Sequence, residues 1–116
     1  KLTKIILENK NSSLKKIINI SSAMGSITKN ETGNYYIYRT TKTALNSISK
    51  NLSIDLSRHN IIVASIHPGS VKSKMNPSGT IEPNICAKQI INFIIDCNES
   101  LNGTFIDLQT LKKIEW

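Results

Sequence analysis

Apolar positions along this chain alternate between two kinds of pattern. KIINISS (16–22) and IIVASIH (61–67) are short runs rich in β-branched residues, with the length and composition of buried strands. Around them the spacing turns helical. Leu2, Ile5 and Ile6 share a face in KLTKIILENK (1–10), and Ala44, Leu45, Ile48, Leu52 and Leu56 recur at helical intervals up to Arg58. Cys86, Ala87, Ile90, Ile91, Ile94 and Ile95 make a third, broad apolar face behind the start signals Thr80, Glu82 and Pro83. His59-Asn60 closes the second helix, where an imidazole suits the negative end of the helix dipole. Pro68-Gly69 ends the second strand, and residues 98–103 break the third helix before a last short strand over 104–106. The order helix, strand, helix, strand, helix, strand predicts an α/β sheet with parallel pairing.

In open α/β sheets, chemistry gathers beyond the carboxyl ends of the strands. Two loops begin there, one after Ser22 and one at Pro68, and the helix that carries Tyr38 starts on the same side. Tyr38 and Lys42 are four residues apart, so a phenol and an ammonium share one helix face and can address one ligand. Packing of the ring on the aliphatic stem of Lys42 would give the same spacing.

Composition narrows the choice of function. A chain of 116 residues forms at most one domain. Lys and Arg number 15 against 8 acidic residues, a net charge of +7. The lysines are scattered, and aromatics do not interleave with them as a base-stacking surface requires, so no nucleic-acid partner is expected. Cys86 and Cys97 have no short ligand spacing and no neighbouring His, which predicts reduced core thiols and no metal site. The apolar runs are too short to cross a bilayer, so no membrane partner and a cytoplasmic location are expected. Because KLTKIILENK already reads as helix, the chain is expected to be part of a longer one.

INISSAMGS (18–26), YRTTK (38–42) and HPGSV (67–71) together resemble the short-chain dehydrogenase/reductase family. NETGNYYIYRTTKTALN and HPGSVKSKM are similar to its sniffer-type carbonyl reductase and C-factor subgroup, which shares the long Asn-and-Gly loop, the Tyr38-Arg39 pair and a Trp near the end, here Trp116. The likeness spans essentially all 116 residues. It implies the C-terminal half of a Rossmann-like, doubly wound parallel sheet. The glycines at 25, 33, 69, 79 and 103 form no phosphate-binding cluster, so the Gly-rich cofactor half is absent.

The resemblance also assigns roles. Tyr38 would protonate a carbonyl oxygen as hydride arrives from a nicotinamide, since a neighbouring cation favours the charge a phenol takes on when it gives up its proton. Ser22 would hold that oxygen, Lys42 would support Tyr38 and grip the ribose, and Tyr38 would join Lys42 in contacting the cofactor. Ser22 is preferred to Ser21 and Ser26 because a Gly follows it by three. Pro68, Gly69, Val71 and Ser73 match the turn that meets the carboxamide and pyrophosphate, Ser73 standing where Thr is usual; Thr41 stands where Ser is common. NADP(H) is favoured over NAD(H), the substrate is a small carbonyl or alcohol, and the resemblance leaves the oligomeric state open, a homodimer through helices 1–10 and 35–58 being one arrangement it allows. The alternative is a truncated, inactive remnant or interaction module that uses an exposed edge of the strand at 16–22.

Overall fold

The computed structural model describes residues 15–116. The helix expected over 1–10, and its share of a dimer surface, lie outside the described residues. Three strands form one sheet in the order β1 (Lys15–Ile20), β2 (Ile61–His67), β3 (Phe105–Asp107), all parallel. In register, Ile18 faces Ala64 and Ile66 faces Ile106. The crossovers contain α1 (Tyr36–Asp55) and α2 (Pro83–Asp96). Alternation along the strands divides the core in two. Ile18, Ile62, Ile66 and Ile106 pack against Phe93 of α2, whereas Ile17, Ile61 and Val63 pack against Leu52 and Leu56 at the end of α1.

Strand boundaries follow the β-branched runs closely. β2 begins and ends where the sequence predicts. β1 runs one residue earlier at its start and stops at Ile20, because Ser22 leaves the ladder to cap a short 3-10 turn, Ala23–Gly25. β3 is shifted by one residue, to Phe105–Asp107. Asn102 fixes its approach: its Oδ1 accepts from Val63 N at 2.9 Å and its Nδ2 donates to Ser53 O at 3.0 Å. Beyond β3 the chain turns back, and Ile106 pairs antiparallel with Lys113. This return segment covers the outer edge of β3.

Helix faces depart from the pattern. Leu45, Leu52 and Leu56 of the stripe expected on α1 turn inward, but Ala44 is exposed and Ile48 is 54% exposed. Asn46, Ser49 and Ser53 are buried in their place. Small polar residues let the helix lie close to the sheet, and hydrogen bonds offset the burial of both serine hydroxyls and of Asn46 Nδ2, while Asn46 Oδ1 has no partner among the described residues. Ser49 Oγ accepts from Asn19 Nδ2 at 2.8 Å and donates to Leu45 O at 2.7 Å. Pro83 opens α2 at its first turn as expected, yet Phe93 joins Cys86 in the core while Ile91 and Ile95 face outward. Lys16 Nζ donates to Ile94 O at 2.6 Å and Ile95 O at 2.9 Å, a cation at the carbonyl end of α2.

The helix expected to end at His59-Asn60 does close there, through a 3-10 turn, Ser57–His59, with Asn60 left-handed at its cap. Cys86 and Cys97 are free and buried, and burial pushes both thiols up from their ordinary pKa. No group of three metal-ligating side chains, and no helix long and apolar enough to cross a membrane, occurs among the described residues.

Candidate functional site

The carboxyl ends of β1 and β2 lie side by side, joined by Ser21 N donating to Ile66 O at 2.7 Å. Next along the chain, Ser22 is half-buried and its Oγ accepts from Met24 N at 3.2 Å. That bond leaves the hydroxyl proton of Ser22 available to donate. Gly25, three residues on, lies flat against α1. A Cβ there would come within 3.0 Å of Asn46 Nδ2 and of the Lys42 backbone, so a side chain would lift the turn from the helix. Its carbonyl accepts from Thr43 Oγ1 at 3.0 Å and from Asn46 Nδ2 at 3.3 Å. The serine-to-glycine spacing thus has a packing cause.

Lys42 reaches back over the end of β1. Its Nζ donates to Ile20 O at 3.1 Å and sits 5.8 Å from the centre of the Tyr38 ring. One ammonium therefore touches both the strand end two residues before Ser22 and the phenol one helical turn before itself. The ring contact lies at the outer limit of a cation–π interaction. Among the described residues no second acceptor takes the other two ammonium protons. Tyr38 and Lys42 are both half-buried.

The second loop is held by other means. Pro68 O accepts from Gln109 Nε2 at 2.8 Å, and Gln109 exchanges amide hydrogen bonds with Gln89 of α2 at 3.2 and 3.1 Å. Gly69 has φ of 89°, and a Cβ there would meet Ile81 Cδ1 at 2.6 Å and Gln109 Cγ at 2.8 Å. Val71 pairs with Ile81, and Asn76 Nδ2 ties Ser70 Oγ and Val71 O at 3.1 Å each. Ser73 is exposed, and its Oγ accepts from Asn76 N at 3.1 Å. Lys72 and Glu82, both exposed, face each other at 3.4 Å across the base of the loop.

The structure therefore joins Lys42 to Tyr38 and to the strand that delivers Ser22. Pro68, Gly69, Val71 and Ser73 form a separate turn at the end of the neighbouring strand, without hydrogen bonds to those three. Gln89 and Gln109 were not singled out from the sequence. Gln109 acts across 41 positions, which no local pattern signals. His67, the last residue of β2, has a buried Nδ1 without a partner among the described residues. Burial lowers its pKa from the ordinary value, against the upward pull of the Asp107 carboxylate.

Known proteins resemble this chain. Residues 1–83 match the family described as short chain dehydrogenase. The C-signal protein of Myxococcus xanthus is 31% identical over 97 residues, a stretch covering 83% of this chain and 58% of that protein. Among solved structures, the carbonyl reductase Sniffer of D. melanogaster superposes with a TM-score of 0.85 at 35% identity, over 95% of this chain and 46% of that one. The NADPH-bound carbonyl reductase from chicken fatty liver gives a TM-score of 0.72 at 30% identity, over 87% and 42%. The chain thus spans about half the length of the relatives it matches.

Proposed function

The chain belongs to the short-chain dehydrogenase family, and on that premise we propose that the whole protein is a nicotinamide-dependent oxidoreductase that reduces a carbonyl compound to an alcohol. Tyr38 is the proton donor, Ser22 holds the reacting oxygen and Lys42 supports both. The observation that carries this reading is the double contact of Lys42, to the Tyr38 ring and to Ile20 O at the strand end that leads into Ser22.

The described residues suit the nicotinamide end of such a cofactor. Lys42 has protons to give a ribose hydroxyl, and the turn at Gly69, where a Cβ would collide with its surroundings, offers bare backbone to a carboxamide. Val71 and Ser73 extend that turn. A Gly-rich phosphate loop is not among these residues. The NADPH-bound carbonyl reductase from chicken fatty liver, 30% identical, supports NADP(H) over NAD(H) for the whole protein.

When bound, a nicotinamide would supply hydride to the carbonyl carbon. Tyr38 gives its phenolic proton to the carbonyl oxygen, so that carbonyl, hydride and proton together make the alcohol. The Lys42 ammonium stabilises the charge that Tyr38 then bears, and the Ser22 hydroxyl donates a hydrogen bond to the oxygen as its negative charge grows. In the return direction the phenolate takes the proton from an alcohol. A dimer through the outer face of α1, where Ile48 is exposed, belongs to the same reading.

The test is an assay of the full-length protein with NADPH and a panel of aldehydes and ketones. Loss of the reduced cofactor matched by alcohol formed, mole for mole, supports the reading; binding without turnover across the panel contradicts it. One feature favours a second reading, an inactive interaction module: β1 has no strand on its outer edge among the described residues, and Ile20 is 50% exposed. Turnover by the 116-residue chain alone would exclude that module.

A further inference from the structure

The chain enters α1 through a backbone of uncommon shape. Gly33, Asn34 and Tyr35 have φ of 66°, 57° and 53°, three left-handed residues in succession. Glycine takes that region freely and asparagine tolerates it, whereas a tyrosine there is strained. Strain of this kind persists where neighbours over-determine the backbone. Tyr35 does not hold itself: it is 70% exposed, and as the residue capping α1 it makes no side-chain hydrogen bond.

Arg39 supplies the restraint. Its Nε donates to Gly33 O at 3.1 Å and to Asn34 O at 3.2 Å, and its Nη2 donates to Thr32 Oγ1 at 3.0 Å. Its backbone N donates to Tyr35 O at 2.9 Å, the first hydrogen bond of the helix. Residues 32, 33, 34 and 35 thus each give an oxygen to one arginine. Among the described residues no carboxylate pairs with Arg39, so its partners are the neutral oxygens of the turn. A planar fork of several donors suits that task; a single ammonium cannot span it.

Tyr38 sits one residue before Arg39, inside the first turn of α1. The leading N–H groups of a helix lack partners within it, so the aim of side chains there depends on how the entry is fixed. We propose that Arg39 is a positioning residue: by locking the left-handed turn at Gly33, Asn34 and Tyr35 it sets the first turn of α1 and the direction of the Tyr38 phenol. The Tyr38-Arg39 pair and the Asn-and-Gly loop, separate motifs in the sequence, are then two halves of one device. Its catalytic consequence rests on Tyr38 being the proton donor.

The experiment uses the full-length protein with Arg39→Ala, Arg39→Lys, and Arg39→Ala combined with Tyr35→Gly. It reads kcat and KM for a carbonyl substrate together with hydrogen exchange of the residue-39 amide. Arg39→Ala should speed that exchange and lower kcat by roughly ten- to a hundredfold, the scale of a misaligned reacting group, with KM little changed. Arg39→Lys should lie nearer to the alanine variant than to wild type. Adding Tyr35→Gly, which accepts the left-handed geometry without strain, should return most of the lost kcat. Wild-type exchange and kcat in Arg39→Ala, full activity in Arg39→Lys, or a loss that Tyr35→Gly leaves untouched would each overturn the clamp. If the wild-type protein reduces no carbonyl, the functional reading falls and the exchange rates alone decide the clamp.

Discussion

Ile20 and Ile66 are partners in register at the carboxyl ends of β1 and β2, yet Ile20 is 50% exposed and Ile66 is fully buried. The strands have nearly the same chemistry, KIINI against IIVASI. β2 lies between two neighbours, and all of it but His67 is buried; among the described residues β1 has a neighbour on one side, and none of its residues reaches that state. Position in the sheet, and not hydrophobic pattern, decides how firmly a strand end is held. The proposed site draws on both. Pro68 and Gly69 leave the central strand, while Ser22 leaves the edge strand and needs extra ties: Lys42 on Ile20 O, Ser49 on Asn19, and Thr43 with Asn46 on Gly25.

The sharpest way to break this comparison is to cut the same side chain on both strands. Ile18 and Ile66 belong to one apolar cluster, Ile66 fully buried within it and Ile18 partly so. In urea melts, Ile66→Ala should cost about 3–5 kcal/mol, and Ile18→Ala less than half of that, because a partly exposed site loses less burial and leaves a smaller cavity. Equal costs would mean that β1 is held as tightly as β2. A smaller effect is expected at Lys16, which links β1 to the carbonyl end of α2. Lys16→Met should cost about 1 kcal/mol through two lost hydrogen bonds and an uncapped helix end, read from the same melts. No change would show that β1 gains nothing from this contact.

The smallest effect concerns pH. Burial holds His67, the last residue of β2, below its ordinary pKa of 6.5. The unfolded chain therefore takes up a proton before the folded one as pH falls. The stabilising contribution is complete above 6.5 and declines below it. Thermal melts should fall as the solution is acidified through that range, and His67→Gln should flatten the slope. A slope unchanged in the variant would assign the acid sensitivity elsewhere.

Much of the fold was legible because it is local. Branched residues marked β1 and β2, Pro83 opened α2, and Pro68-Gly69 ended β2 where the chain does turn. The inner face of α1 was not legible: Asn46, Ser49 and Ser53 are polar by composition yet buried, Asn46 bonded to the first loop, Ser49 to the sheet and Ser53 to Lys50 O of its own helix, so hydropathy assigns the face to Ile48 instead. At the site, the spacing of Ser22, Gly25, Tyr38 and Lys42 could be read as a motif. The reason for Gly25 appears only when Lys42 and Asn46 press against it. Gln109 was beyond reach, since its partner Pro68 is distant in sequence and close only across the sheet.

The most direct measurement of the central claim is the turnover of full-length protein carrying Tyr38→Phe, with NADPH affinity followed in parallel. If the phenol of Tyr38 delivers the proton, kcat falls by about a thousandfold, within the range for losing a positioned acid, while cofactor affinity stays within about twofold of wild type, because Lys42 remains in place. A variant that keeps more than about a tenth of wild-type turnover, too small a loss for a missing general acid, would contradict the assignment.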